Sequence, residues 1–416
     1  MATPTRIVEL ADIIATKTRT VSDYLQSHNL STPSFDANAP LTGPIPESET
    51  TIIEAQYQVV ACTEELNELM RGPTEALWGR FYSSLADMLE IQFVQRFGIA
   101  RLVPLNGTMP YEEIAKATGL DIVDVRRVLK RAMLNHFFQE KDGKVAHTWT
   151  SRILQENKPV ADIAELFTEE IWPSFAKTVE ALDRFKGRRH VPEETGFSIA
   201  NNTSKGMYSY LAENPARMER FARAMGGFAA TEDFGLALKG FDWTKVSTVV
   251  DVGGAWGPAS IELVRAFPHL KCTVQDFEDV ITEGPSKVPA EFRERISFEA
   301  HDMFNPQKTA SADVYFFRAV FHNWSDVRCI EILRAHIGAL KPGAHILIND
   351  KVSATPDVSP PWAEKNSRTM DLTMLTLFGS RERTYKDWVD IIMEASPRFY
   401  VKFVGPPSDM IDVVWR

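Results

Sequence analysis

Cysteine is scarce in this chain of 416 residues: Cys62, Cys272 and Cys329 are the whole complement. They lie far apart and form no CxxC pair, so there is no disulfide framework and a reducing compartment is expected. An excess of positive charge is lacking too. The 46 basic residues are outnumbered by 56 acidic ones, for a formal net charge of −10. Phosphate neutralisation supplies most of the affinity for a duplex, so this balance argues against nucleic acid as a main partner. No run approaches the ~20 apolar residues that span a bilayer. Residues 1–20 alternate apolar and charged side chains, without the apolar core of a signal peptide. No GxxxxGK[ST] run occurs, which excludes a P-loop. There is no repeat and no low-complexity tract. These absences leave a soluble cytoplasmic protein as the expectation. Its length exceeds the usual size of one hydrophobic core, so two domains are expected. Its 25 Phe and 9 Trp are enough for a large core and an aromatic pocket.

The first part of the chain reads as helical. Ile7, Leu10, Ile13, Ile14, Val21 and Leu25 recur at helical spacing over 5–28. A linker or extended arm follows, with Pro33, Pro40, Pro44 and Pro46. Helical patterns then cover roughly 50–71 and 73–97. Segment 109–150 predicts a short helix closed by Gly119, then a second helix over 125–138 with an acidic first turn. A Lys141–Asp142–Gly143–Lys144 turn between strand-like runs completes the pattern of a winged helix. Its basic residues Arg126, Arg127, Lys130 and Arg131 read as a solvated face, and packing or dimerisation suits the segment better than DNA reading. Helical texture continues over 155–240. From Val246 onward strand-like runs alternate with helical ones, which implies βαβ units and a parallel sheet.

Chemistry concentrates in that second half. Thr248–Val249–Val250–Asp251–Val252 is a buried-strand run ending in Gly253–Gly254, with Gly257 just before a helix. Such a turn lets the backbone approach a ligand closely, although nucleotide and dinucleotide sites share it. The next strand ends in Asp276, placed to accept hydrogen bonds from ribose hydroxyls. Asp302 and Met303 fall where a third strand should end and suit an adenine contact. A further strand runs through Arg318 to His322, off the sheet edge where ligands bind. Histidine there suits a general base acting on a weakly acidic hydroxyl. Asp350, after the strand 345–349, and Glu382, before Thr384, are carboxylates able to fix its tautomer and stabilise the imidazolium.

With these motifs in this order, residues from about 60 to the C-terminus resemble the plant caffeate-type and fungal small-molecule O-methyltransferases of class I. Val250–Asp251–Val252–Gly253–Gly254 looks like the family's S-adenosyl-L-methionine motif, and Leu340–Lys341–Pro342–Gly343 like the turn beyond the catalytic run. The resemblance implies a Rossmann-like α/β sheet over 156–416 behind an N-terminal α-helical winged-helix dimerisation domain over 1–155. It implies S-adenosyl-L-methionine held by Asp251, Gly253, Gly254, Gly257, Asp276, Asp302, Met303 and Arg318. Catalysis falls to His322, Asp350 and Glu382, and Phe221 and Met225 clamp the substrate. No metal is needed, and the partners are a small-molecule substrate and a second copy of the chain. Three positions depart from the family pattern. Ala255, followed by bulky Trp256, replaces a glycine; Asn323 replaces the aspartate beside the base; and Asp350 replaces the glutamate of plant members.

Methyl transfer to a hydroxyl of an aromatic or polyketide-type metabolite is the leading functional expectation, since the three catalytic positions persist. The alternative is a pericyclase or dehydratase of fungal secondary metabolism on the same fold, with Arg318, Lys351 or His322 donating a hydrogen bond to a carbonyl. A winged-helix regulator with a ligand-sensing domain is the non-enzymatic reading. It requires a basic surface that the overall charge does not favour.

Overall fold

The computed structural model describes residues 5–46, 48–186, 191–231, 234–353, 361–405 and 409–416. The chain divides into two units, Met1–Trp172 with Ala216–Phe228, and Pro173–Pro215 with Ala229–Arg416.

In the first unit the helix Arg6–Ser27 packs along Thr50–Arg96. The latter is broken where the two sequence patterns meet: Gly72 leaves the helical region at φ 72°, and Pro73 has no N–H to continue the ladder. Three short strands, β1 (Thr108–Met109), β2 (Gln139–Lys141) and β3 (Lys144–Ala146), form a sheet in the order β1-β3-β2. They flank the helices Tyr111–Thr118 and Ile122–Leu134, as in a winged helix. The second helix starts where Asp121 caps the Val123 N–H at 2.7 Å. It stops four residues earlier than the pattern predicts, because His136 (φ 57°) and Phe138 (φ 72°) take left-handed backbone. That turn drops Phe137 and Phe138 into a core with Val125 and Leu129. The basic stripe of this helix faces acids of its own unit: Arg126 pairs with Glu112, Lys130 with Glu140, and Arg131 with Asp87 and Glu90.

The helix Pro215–Thr231, which carries Phe221 and Met225, contributes Ala216–Phe228 to this unit. Its Arg217 and Arg220 both reach Glu170, a buried carboxylate in the π-helical turn Phe167–Ile171. Arg223 pairs with Asp162 and Glu165.

The second unit is built on a seven-stranded sheet. Its strands are β4 (Thr248–Val252), β5 (Lys271–Asp276), β6 (Ile296–Ala300), β7 (Val314–Arg318), β8 (His345–Asn349), β9 (Phe399–Gly405) and β10 (Met410–Trp415). Their order is β6-β5-β4-β7-β8-β10-β9. Strands β4 to β8 pair in parallel, while β10 runs antiparallel to both β8 and β9. The fully parallel sheet expected from the alternating texture is therefore mixed. The few residues between β9 and β10 permit a hairpin but no crossover. Apolar clusters cover both faces, one with Tyr315, Phe317, Ile348 and Trp388, the other with Trp243, Leu263, Val274 and Phe316. Burial on both faces explains the near-continuous apolar runs of β4 and β7. The result is the Rossmann-like class I methyltransferase sheet with a helical N-terminal unit. Among the described residues no helix is long and apolar enough to cross a membrane, and no cluster of three or more His, Cys, Asp or Glu is arranged to hold a metal.

The helix Tyr385–Ala395 begins at a capping box: Thr384 accepts the Asp387 N–H while Asp387 Oδ2 accepts the Thr384 N–H at 2.9 Å. Replacing Thr384 with Ala should cost about 1 kcal/mol, read as a lower denaturant midpoint of the transition that unfolds this unit.

Candidate active site

The glycine turn leaves β4 at Gly253, whose φ of 71° only glycine adopts freely. Its N–H donates to Gln275 O at 2.8 Å, tying the turn to the end of β5. A side chain here would put Cβ 2.9 Å from Val320 Cγ2, so the turn sits against the segment leaving β7. At Gly254 a Cβ would lie 2.6 Å from the Asp251 carboxyl carbon. Gly257 then caps the helix Pro258–Ala266. Ala255, where the family pattern has glycine, also lies in the left-handed region at φ 50°. The strain of roughly 1–2 kcal/mol that an L-residue meets there is offset by its N–H donating to Asp276 Oδ2 at 2.9 Å. Trp256 is turned onto the core cluster around Trp243, with Lys287 Nζ 5.7 Å from its ring centre.

The cofactor-side acids differ in station. Asp251 is only 1% exposed and lies beneath the turn, where Oδ2 accepts from Ser260 Oγ at 2.7 Å. Burial pushes its carboxyl up to about 6 against the pull of that hydrogen bond and of Arg318. Asp276 stands at the end of β5; Oδ1 accepts the Phe277 N–H at 2.8 Å, and burial raises this group as well. Asp302 shapes the turn after β6 by accepting the Phe304 N–H at 3.1 Å, and Met303 packs on the core behind it. Arg318 ends β7 with its guanidinium 5.2 Å from the Phe234 ring centre.

On the other side of β4, the chain leaves β7 and enters the 3-10 turn Phe321–Asn323. His322 Nδ1 lies 3.1 Å from Glu382 Oε1, which leaves Nε2 as the nitrogen free for a substrate. Asp350 follows β8 and is 3% exposed. Its Oδ2 accepts the Phe321 N–H at 2.9 Å, so it holds the turn and reaches the imidazole through charge. Burial drives the Asp350 carboxyl up to about 6, with the His322 charge opposing and Glu382 adding to the rise. Burial works against a charged His322, yet Asp350 and the hydrogen-bonded Glu382 outweigh it and raise the imidazole above its ordinary value. Asp350 Oδ1 and Glu382 Oε2 are buried with no hydrogen-bond partner.

The second unit thus gathers His322, Asp350 and Glu382 on one edge, and Asp251, Gly253, Gly254, Gly257, Asp276, Asp302, Met303 and Arg318 around the neighbouring strand ends. Phe221 and Met225 belong to the first unit. Sequence reasoning passed over three groups. Tyr208 stacks on Phe378 (5.1 Å) and Trp324 (6.1 Å), and Phe304 meets Trp324 edge-on at 4.7 Å, which makes an aromatic wall beside His322. Asp371 receives the Glu382 N–H at 2.8 Å. Ser380 and Arg383 flank Glu382 and grip the His322 turn. The Arg381–Glu382–Arg383 run, charged yet in a loop beside a candidate acid, was the one available signal for them.

Comparison with known proteins agrees with this geometry. Residues 187–397 match the family model described as O-methyltransferase domain. The O-methyltransferase pyvH of Aspergillus violaceofuscus is 35% identical over 99% of this chain and 99% of its own. The crystal structure of OxaC superposes with a TM-score of 0.80 at 21% identity, covering 99% of both chains, and that protein has also been solved with SAH and oxaline. A structure described as a pericyclic reaction enzyme superposes with a TM-score of 0.74 at 19% identity, covering 98% of this chain and 100% of its own. A family match over half the chain, and a relative of this identity along its whole length, leave one conclusion: the chain belongs to the O-methyltransferase family.

Proposed function

We propose that this enzyme methylates a hydroxyl of a small aromatic or polyketide-type metabolite, with S-adenosyl-L-methionine as donor and His322 as general base. The observation that supports it best is the His322 Nδ1–Glu382 contact, which fixes the tautomer and frees Nε2. The residues at the glycine turn fit the donor. Each Asp276 oxygen accepts one backbone N–H, so lone pairs remain for a ribose diol. Burial makes Asp251 and Asp276 receptive to a cation. Asp302 and Met303 flank the adenine side, and Arg318 the strand end. When bound, the donor supplies an electrophilic methyl group on a sulfonium centre. His322 Nε2 takes the hydroxyl proton. Glu382 stabilises the resulting imidazolium by its hydrogen bond and Asp350 by charge. Orientation of the reacting groups supplies most of the acceleration.

The raised basicity of His322 favours a second reading. A protonated imidazole that donates to a substrate carbonyl would promote ring formation or dehydration with no methyl moved. The pH dependence separates the two. A base must be neutral, so kcat/KM should rise with pH through the His322 value; an imidazolium donor requires the reverse. His322→Ala should abolish methyl transfer while cofactor affinity is kept, with product followed by mass. Transfer near the wild-type rate would remove His322 from the mechanism, and a product of unchanged mass, or lighter by one water, formed without consumption of the donor would establish the second reading.

Retention of two carboxylate oxygens buried without partners itself supports a catalytic role, since such groups cost stability. The folded Asp350 carboxyl titrates near 6, above the ordinary aspartate value. Between roughly pH 4 and 6 the folded state therefore binds more protons than the unfolded one, and stability falls as pH rises through that window. Asp350→Asn removes a cost of up to roughly 3 kcal/mol at pH 8. It should raise the thermal midpoint there, have little effect at pH 4, and slow methyl transfer. A lower midpoint at pH 8 would contradict this account of the site.

We also infer a homodimer, in the reducing cytoplasm that its free cysteines suit. Leu77, Phe81, Leu85 and Leu89 are exposed at every fourth position of the helix Thr50–Arg96, with Trp78 and Tyr82 beside them. An apolar ridge of this kind suits an isologous contact with a second copy. Sedimentation should show a dimer that Phe81→Asp with Leu85→Asp dissociates; a wild-type monomer at micromolar concentration would refute it.

A further inference from the structure

Besides Asp350 and the Cys329 thiol, one short loop holds the turn that carries His322. Ser380 Oγ lies 2.6 Å from His322 O and 2.8 Å from Trp324 O, its single proton serving either carbonyl. Arg383 is wholly buried and uses its fork in three directions. Nη1 donates to Phe321 O at 3.1 Å, Nη2 to Trp324 O at 2.7 Å and Nε to Asp326 Oδ1 at 3.0 Å. Its guanidinium sits 5.3 Å from the Trp388 ring centre. Asp326, the counter-charge, also accepts from Arg381 at 2.8 Å. Between these grips stands Glu382, the partner of the imidazole, its own N–H fixed by Asp371. The carbonyl of Arg383 accepts the Ser353 N–H at 2.8 Å, which ties the loop to the segment after Asp350.

We propose that Ser380 and Arg383 are positioning residues for the base: they fasten the His322 turn to the loop that presents Glu382, so that imidazole and carboxylate hold one mutual geometry. The inference rests on His322 acting as the base. Two observations separate this from ordinary packing. The loop meets the turn through its backbone carbonyls, which set where the ring stands, and no lysine has the planar fork to reach three acceptors at once. Arg383 is also the cation that opposes Asp350 and Glu382 at the imidazole. Of the remaining charged or titratable neighbours, Asp326 pairs with Arg381 and Arg383, Asp371 accepts the Glu382 N–H, and the Cys329 thiol lies 3.4 Å from both Phe321 O and Trp324 O.

Arg383→Gln, Arg383→Lys and Ser380→Ala would be compared in the full-length protein for kcat, donor KM and pH profile. His322 would be titrated by NMR in each, its signal identified by its absence in His322→Gln. For Arg383→Gln we expect kcat about 10–100-fold lower with donor KM unchanged, and the acid limb and the NMR titration both moved to higher pH. Arg383→Lys, which keeps the charge without the fork, should lose similar kcat with its acid limb in place. Ser380→Ala should lose less, also without a shift. Wild-type kcat in either Arg383→Lys or a folded Arg383→Gln overturns the proposal. Should Arg383→Gln not fold, wild-type kcat in both other variants overturns it as well. Methyl transfer surviving in His322→Gln instead overturns the base assignment. The NMR titration still reports the clamp in that case, so the two failures are distinguishable.

Discussion

Strand order reverses between β4 and β7, and the site depends on that reversal. From β4 the chain moves outward through β5 and β6; from β7 it moves the other way through β8. Connections leaving the carboxyl ends of β4 and β7 therefore part to opposite sides and open a crevice above the sheet. The glycine turn occupies one lip and the His322 turn the other. They meet where the absent side chain of Gly253 would collide with Val320. The His322 lip is also fixed on its far side, because Ala319, at φ 53°, anchors its N–H on Asn349 O at 3.0 Å, next to Asp350.

Charge at the crevice is arranged against stability. Asp251, Asp276 and Asp350 are all pushed up by burial, Asp251 and Asp350 being almost wholly enclosed and Asp276 partly so. A fold selected for stability alone would replace them with apolar groups. Their negative potential suits a cationic donor on one lip and an imidazolium formed in passing on the other. Arg318 and Arg383 are the opposing cations, one on each side, and they keep the cost finite.

How much of this the sequence reveals follows from the range of the interactions. The glycine turn, Asp276 and His322 are legible because a strand followed by a special residue is a local pattern. The capped start of the helix after Asp121 is legible for the same reason. Asp350 is legible as a position but not as a partner: its hydrogen bond goes to the Phe321 N–H, 29 residues earlier in the chain. The clamp is more remote still, since Arg383 and Phe321 are 62 residues apart and only the sheet edge brings them together. The helix Pro361–Phe378 has too weak a hydrophobic periodicity to stand out. The β9–β10 hairpin shows in the sequence as strands, while its direction is decided by the short connection.

Two of the three departures from the family pattern are answered by local geometry. Ala255 occupies left-handed backbone, but the same conformation aims its N–H at Asp276, so the turn keeps its shape and the carboxylate stays oriented. Asn323 donates from Nδ2 to Ala319 O at 3.1 Å, closing the turn that carries His322. An ionised aspartate there could not donate, and it would add another negative charge beside His322. Asparagine therefore leaves the imidazole less basic than a family-like aspartate would. That choice works in the direction a general base requires and against the imidazolium donor of the cyclisation reading.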